Sequence, residues 1–584
     1  MVQIGERSAR VMQEFMARQA NNSTPPPTDS THIAEAFLQM TQKLMQHPAK
    51  MMEAGMSLWQ DYMKLWQSTT QRFIQGKTAE PVIAPQKGDK RFQDAAWSEN
   101  ALFDYIKQSY LLSARYLQNM ARDTDGMDSK AAQKVDFYTR QFVDAMSPSN
   151  FLMTNPEVLR RTAETGGENL VKGLENLLAD LERGRGQLRI AMTDEKAFAI
   201  GQNLANTPGK VIYQNDLMQL IQYDPITPQV KQIPFLIIPP WINKYYILDL
   251  GEKKSFVRWL LKQGYTVFMI SWVNPDAALA EKSFAHYMLE GPMDAMRQIK
   301  EITGENELNI LGYCLGGTLL GALLSWLEGK KDSRDVADLP KLNSATFLVS
   351  LLDFRDAGEV TVFIDEAQLN QLEDHMNAKG YLEGKTMATS FNMLRANDLI
   401  WSFVVNNYLM GKEPFPFDLL YWNGDSTRMP AAMHSFYLRE MYQHNRLSKP
   451  GAVTLEGVPV DLRNITTPSY FLSTKDDHIA PWRTTYYGAQ MFKGPVRFTL
   501  SGSGHIAGVV NPPEAKKYNY WTEDGLPKNP DDWFKAATSF DGSWWPEWEK
   551  WLAEYSGADV PAREVDAARA IEDAPGSYVR VKAN

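Results

Sequence analysis

Near the middle of the chain, Leu308-Asn309-Ile310-Leu311 is a short apolar run. Gly312-Tyr313-Cys314-Leu315-Gly316-Gly317 follows, and then an apolar stretch from Leu319 to Leu327. The run reads as a buried strand, the stretch as a helix, and Gly-x-Cys-x-Gly-Gly as the sharp turn between them. Strand, glycine-framed turn and helix in that order form a nucleophile elbow, which lifts one side chain above a sheet edge. Serine is the usual occupant; here it is cysteine. Cys314 is the only cysteine in 584 residues, so no internal disulfide can form and a reducing compartment suits the chain. At a helix N-terminus the dipole favours the thiolate, and the Leu315 N–H would face an oxyanion. A lone cysteine more often packs as a small apolar residue, but that reading leaves the glycine frame unexplained.

The elbow needs a sheet, and the sequence after residue 195 supplies one. Val211 to Tyr213 and Leu217 to Tyr223 read as a hairpin. Phe235 to Ile238, Tyr265 to Trp272, Leu308 to Leu311, Ser344 to Leu352, Ser469 to Ser473 and Val496 to Leu500 read as buried strands, with a helix expected over 275–302. Strands alternating with helices imply a mostly parallel sheet covered on both faces. With the elbow in its expected place, this is the order of an α/β-hydrolase fold. Between 344 and 469 about 115 residues carry no clear sheet strand, and they include the aromatic stretches Asn392–Gly411 and Trp422–Asn445. A long cap insertion, about 355–465, is expected there. The Gly542–Trp551 stretch reads as a helix whose tryptophans pack or bind, and 556–584 as a loosely ordered tail.

The first 190 residues read differently. Residues 1–30 end in Asn21-Asn22-Ser23-Thr24-Pro25-Pro26-Pro27 and suggest a flexible tail. Over 31–75 apolar residues recur at helical spacing: Phe37, Met40, Leu44 and Met45, then Met52, Met56, Leu58, Trp59, Tyr62, Met63 and Trp66. A linker is expected over 77–90. Further helices are expected to about residue 183, punctuated by Ser147-Pro148 and Asn155-Pro156. The result is a helical N-terminal domain over 31–190. Its Met/Trp face either packs internally or docks on a partner or an apolar surface. Net charge of −9 and the lack of a basic run exclude a general nucleic-acid binder. No stretch near 18 apolar residues offers a membrane span, and no signal-peptide core is visible.

A thiol nucleophile needs a base, and the base an orienting acid; in this fold the chain order is nucleophile, acid, histidine. Of eight histidines, His32, His47 and His286 precede the elbow, and His375, His434 and His444 fall in the expected cap. His505 lies in Ser501-Gly502-Ser503-Gly504-His505-Ile506-Ala507-Gly508, directly after the last strand, where a base reaches over the sheet edge. Thr474-Lys475-Asp476-Asp477-His478-Ile479-Ala480-Pro481-Trp482 follows the preceding strand. Its Asp477, before an apolar-x-Pro step, is the favoured acid, with Asp476 and Asp353 as alternatives. His478 is either an outer hydrogen-bond donor or a structural residue. The second oxyanion donor is expected from Pro239-Pro240-Trp241-Ile242: prolines cannot donate, which leaves the backbone of Trp241 or Ile242. Asp249 would anchor that loop. No metal-ligand spacing is present.

These residues resemble the polyhydroxyalkanoate synthases, and most closely their single-subunit class I type, over about 95–555. The resemblance rests on Gly312–Gly317, Pro239–Leu250, Leu394–Trp401, Phe417–Asp425, Lys475–Trp482, Ser503–Pro513 and Gly542–Pro546. Two departures are Ala396, where proline is common in the arginine motif, and Trp241. The resemblance places the family's nucleophile on Cys314, its aspartate on Asp477 and its base on His505. It implies polymerisation of 3-hydroxyacyl-CoA with release of coenzyme A through an acyl-cysteine, with no cofactor beyond the coenzyme A of the substrate. It also implies a cytoplasmic, granule-associated enzyme, as a homodimer. Water must be excluded from an acyl-enzyme, so Phe391, Trp401, Phe403, Tyr408, Trp422, Phe436, Tyr437 and Tyr442 are expected to wall a dry channel. Arg395 would meet coenzyme A phosphates or else pair with Asp398. The competing functions are a thiol-triad esterase or polyester depolymerase and a non-catalytic granule-coating protein.

Overall fold

The computed structural model describes residue 7, residues 30–75 and residues 80–583. The expected tail over 1–30 therefore lies outside the described residues except for Arg7 and Ser30, as does the 76–79 part of the linker region. The chain divides into two compact units. One comprises the residues up to Asp194 together with Ser390–Pro416; the other comprises Glu195–Thr389 and Phe417–Asn584.

The first unit is helical: α1 (Ser30–Gln46), α2 (Pro48–Gln75), α3 (Ala101–Arg122), α4 (Ser129–Ala145), α5 (Pro156–Glu164) and α6 (Glu168–Arg183). Its starts follow local chemistry. Asn100, Asp128 and Asn155 each accept two backbone N–H bonds at a first turn, the usual role of short polar caps. Pro156 opens α5, where a missing N–H costs nothing. α2 buries Leu65 and hydrogen-bonds to α3 through the Tyr62 hydroxyl, 2.7 Å from Ser113 Oγ. Its other face stays open: Met52, Met56, Trp59, Met63, Trp66 and Phe73 are 36–70% exposed. The sequence left packing and docking open for this helix; one face packs, and the other is exposed.

The aromatic stretch 390–416 packs on these helices. Asn169 Nδ2 donates to the Leu409 carbonyl at 2.7 Å, and the Tyr408 hydroxyl donates to Asp180 at 2.6 Å. Gly173 has no Cβ because the Tyr408 carbonyl oxygen would lie 1.8 Å from one. The expectation of one continuous cap over 355–465 is thus corrected: its middle belongs to the helical unit, carrying Phe391, Arg395, Trp401, Phe403 and Tyr408 with it.

The second unit is built on an eleven-stranded sheet. Its strands are β1 (Gly209–Gln214), β2 (Met218–Tyr223), β3 (Phe235–Ile238), β4 (Val267–Trp272), β5 (Glu307–Tyr313), β6 (Lys341–Leu348), β7 (Ser469–Thr474), β8 (Val496–Ser501), β9 (Asn519–Glu523), β10 (Thr538–Asp541) and β11 (Glu572–Asp573). Their order is β10-β9-β8-β7-β6-β5-β3-β4-β2-β1-β11. The six strands from β4 through β3, β5, β6 and β7 to β8 are parallel, and the flanks are antiparallel. Central strands such as Phe235–Ile238 are buried at every position, as two covered faces require. The helix expected over 275–302 is interrupted: Phe284–Met288 leads through a wide turn at Leu289–Met293, holding Pro292, into Asp294–Thr303.

The segment 556–584 is corrected as well. Asp559–Pro561 pairs with Gln229–Lys231, β11 extends the main sheet through Lys210↔Asp573 and Val211↔Glu572, and Val579 is buried. Small and charged residues do not themselves imply a loose chain when backbone pairing is available.

Candidate active site

The elbow joins β5 to α7 (Leu315–Lys330). Cys314 has φ 52 and ψ −117, a conformation that costs an L-residue roughly 1–3 kcal/mol and persists only where its surroundings impose it. They do so here: the Cys314 N–H donates to the Leu348 carbonyl at 2.8 Å, and its own carbonyl accepts from Gly317 N–H at 2.9 Å. Gly316 is required because a Cβ there would stand 2.1 Å from the Ile238 carbonyl oxygen. That same contact sets the end of β3, and so the start of the loop bearing Trp241, directly against the first turn of α7.

His505 and Asp477 arrive from the ends of β8 and β7. Nδ1 of His505 lies 2.7 Å from Oδ2 of Asp477. The other oxygen of Asp477 accepts the N–H groups of Ile479 and Ala480, each at 2.9 Å, and Oδ2 also accepts from the Thr474 hydroxyl at 3.1 Å. A carboxylate so fully engaged holds one orientation and can orient an imidazole. The His505 ring stacks on Tyr313, centroids 6.0 Å apart. Burial disfavours its protonation, but Asp477 and Cys314 outweigh that and raise its pKa well above the usual imidazole value. The loop is braced from behind by a group of tryptophans at and near the start of a later helix.

That brace is the helix the sequence anticipated, α8 (Trp545–Ala553). Trp544, Trp545 and Trp548 are at most 1% exposed, and the indole N–H groups of Trp544 and Trp545 donate to the Gly508 and Val509 carbonyls at 3.1 and 2.9 Å. They pack, and what they hold is the histidine loop. Asp476 is exposed and meets the same loop only through its backbone, to the Ser503 carbonyl at 2.9 Å. Asp353 is buried but pairs with Arg355 at 2.5 Å and accepts from Asn445 at 2.8 Å. Neither alternative acid meets His505.

The sequence offered three backbone N–H groups as oxyanion donors. Leu315 N–H lies in the first turn of α7, where no intrahelical acceptor exists, and among the described residues the N–H groups of Trp241 and Ile242 have no hydrogen-bond acceptor. The carbonyls of both are taken: the Thr427 hydroxyl donates to Trp241, and Thr427 N–H donates to Ile242 at 3.1 Å. Sequence reasoning missed Thr427, which lies 186 residues from Trp241 in a stretch with no motif of its own.

The remaining expectations divide. Tyr437 and Tyr442 pack edge to face, 5.4 Å apart, beside Phe354. Burial raises both phenol pKa values, and the Cys314 charge adds to each. Phe436 stacks on Phe284. Trp422 is buried, and its indole N–H donates to the Lys244 carbonyl at 2.7 Å. Asp249 is an anchor, fully buried, accepting from Thr207 Oγ1 at 2.6 Å; burial raises its pKa, against hydrogen bonds from Ser255 and Thr207. His478 is half-buried, and its carbonyl accepts from Glu359 N–H at 3.3 Å. Arg395 pairs with Asp398 at 2.6 Å, both about half exposed, in the helical unit. The ion pair occurs, but on the surface and not buried. Among the described residues no cluster has the makings of a metal site, and no helix is long and apolar enough to cross a membrane.

A model of the α/β hydrolase fold matches residues 234–512, from the start of β3 to just beyond His505, and the sheet order and elbow agree: this unit is an α/β-hydrolase fold. A second model, Poly-beta-hydroxybutyrate polymerase (PhaC) N-terminus, matches residues 88–260. The chain is 50% identical over 518 residues to the poly(3-hydroxyalkanoate) polymerase subunit PhaC of Rhizobium meliloti, covering 88% of this chain and 83% of that one. It is 49% identical to the poly(3-hydroxyalkanoate) polymerase of Methylorubrum extorquens, covering 95% and 89%. It is 43% identical to the PhaC subunit of Cupriavidus necator, covering 85% and 83%. The chain belongs to the poly(3-hydroxyalkanoate) polymerase family and is an enzyme of acyltransferase type.

Proposed function

We propose that this enzyme polymerises (R)-3-hydroxyacyl-CoA through an acyl group carried on Cys314. The observation that supports it best is the Asp477–His505 pair, 2.7 Å apart, set against a strained thiol at a helix N-terminus in a chain of this family. The Cys314 sulfur, its proton taken by His505, attacks the thioester carbonyl. The N–H groups of Leu315 and of Trp241 or Ile242 hold the oxyanion, and coenzyme A leaves as the thiol after taking the proton back from His505. The 3-hydroxyl of another unit then gives its proton to His505 and attacks the acyl carbon; an ester bond forms and the Cys314 thiol is regenerated. Thioester exchange is near neutral in energy, so the elbow's role lies in positioning and charge. The buried Tyr437–Tyr442–Phe354 group beside the thiol is the means of keeping water from the acyl-enzyme.

With one thiol per chain, two chains acting as a homodimer would provide two loading points, and light scattering of the purified enzyme reads that state. The exposed Met/Trp face of α2 supports attachment to an apolar polyester granule in the cytoplasm. The deciding experiment supplies 3-hydroxybutyryl-CoA and follows coenzyme A release together with product size. Oligomers growing with time are expected. Free 3-hydroxybutyrate without oligomer would make the protein a thiol esterase, and absence of any coenzyme A release would make it a non-catalytic coat protein.

A further inference from the structure

We propose that residues 581–582 strap the loop that carries the second oxyanion donor, so that a segment far from the triad in sequence sets the geometry of the acyl-transfer step. The inference rests on the reading of Trp241 or Ile242 as that donor.

The loop after β3 is tied at three levels. Its start is held by Thr427, as described. Its next turn is bridged by pairing of Asn243 with Ser426, and the Lys244 carbonyl accepts the Trp422 indole N–H. The Lys244 side chain then turns inward and is 3% exposed; its ammonium lies 2.8 Å from Asp425, which is 1% exposed. Asp425 also accepts from the Tyr246 hydroxyl at 2.9 Å. This buried carboxylate thus links both sides of the loop to the 421–428 segment.

The third level comes from the far end of the described chain. The Val581 carbonyl accepts from Lys244 Nζ at 2.9 Å and from Asn274 Nδ2 at 3.3 Å. Asn274 in turn accepts from Arg428 N–H at 2.9 Å. Lys582 Nζ stands 3.6 Å from Asp425 and 4.5 Å from the centroid of the Tyr421 ring. The strap is itself fastened upstream: β11 pairs with β1, the Tyr578 hydroxyl donates to the Asn215 carbonyl at 2.7 Å, and Arg580 donates to the Ile200 carbonyl at 2.7 Å. Removing 581 onward therefore leaves the fastening intact and takes away only what reaches the loop. Lys244 then loses one acceptor, and its burial already lowers its pKa against the pull of Asp425. Lys244 keeps Asp425 at 2.8 Å, but one ammonium N–H is left unsatisfied in a buried site, a cost that a shift of the side chain toward water relieves, and the backbone bearing Trp241 and Ile242 shifts with it.

The test compares two reactions of Cys314 in the full-length enzyme, in a chain ended after Arg580, in Lys582→Met and in Lys582→Arg. Alkylation by iodoacetamide develops no oxyanion and reports the thiol and His505. The first-turnover release of coenzyme A from 3-hydroxybutyryl-CoA needs the oxyanion donors. The shortened chain is expected to alkylate at the full-length rate and to acylate roughly ten- to a hundredfold more slowly, since displacement by about 1 Å is enough for such a loss. Lys582→Met should show the same selective loss in smaller measure, and Lys582→Arg should restore it. Acylation at the full-length rate in both the shortened chain and Lys582→Met overturns the strap, as does a proportional fall in both reactions. If the full-length enzyme alkylates but releases no coenzyme A, the functional reading fails and the strap falls with it.

Discussion

At the scale of single residues, Cys314 shows what the site costs the fold. Its backbone sits at φ 52, ψ −117, which glycine tolerates and other residues do not. Cys314→Gly and Cys314→Ala should both abolish coenzyme A release. The glycine variant should nevertheless be the more stable of the two by about 1 kcal/mol, read by urea denaturation, because it removes the strain. His434 gives a prediction of another kind. It is fully buried, neither ring nitrogen has a partner among the described residues, and burial lowers its pKa to about 4. The unfolded chain, with an imidazole near 6.5, binds more protons between those values, so stability is complete above about pH 6.5 and falls as pH drops toward 4. Replacing the ring by His434→Phe should flatten that stretch of the Tm–pH profile, by up to about 3 kcal/mol at its acid end. The Asp477–His505 pair has the opposite sign. A raised imidazole pKa contributes stability that is present below about pH 6.5 and lost as pH rises through the folded-state value. Asp477→Asn should therefore lower Tm more at pH 6 than at pH 9, while cutting the rate of coenzyme A release.

At the scale of elements, the loop after β3 is held by side chains from another part of the chain, and Thr427 is the clearest of them. Thr427→Val keeps the shape but leaves the buried Trp241 carbonyl without its donor. A cost of about 1–3 kcal/mol is expected, measured as a fall in Tm, with a slower acyl transfer and unchanged alkylation of Cys314. The histidine loop is held in the same manner by Trp544 and Trp545. In both cases a loop is fixed by hydrogen bonds that run from a side chain to its backbone carbonyls. Elbow, acid turn and histidine loop were legible from sequence because each is a local pattern: glycines around a strained turn, an acid before an apolar-x-Pro step, a glycine loop after a strand. Thr427, Lys244 and Asp425 were not, because their partners lie 178 to 186 residues away or pair through backbone atoms.

At the scale of the whole molecule, α2 presents Met52, Met56, Trp59, Met63 and Trp66 at spacings that alternate between four and three residues, with Phe73 seven residues further on, all exposed. The paired variant Trp59→Glu/Trp66→Glu should leave coenzyme A release from soluble substrate intact and shift the enzyme from sedimented granules to the supernatant. Retention on granules would remove this face from the attachment reading. The sequence by itself determined that this chain has a thiol elbow on a parallel sheet, followed by an aspartate and a histidine in the order the fold demands, after a helical region. Those features follow from short-range periodicity and turn chemistry, which depend on neighbours in the chain. Only the tertiary structure decided that residues 390–416 pack with the helices, that 556–584 joins the sheet, and that Trp422 holds the loop after β3. Such outcomes depend on which distant surfaces meet and which buried polar groups must be satisfied. That free-energy balance belongs to the folded chain and is written in no local stretch of it.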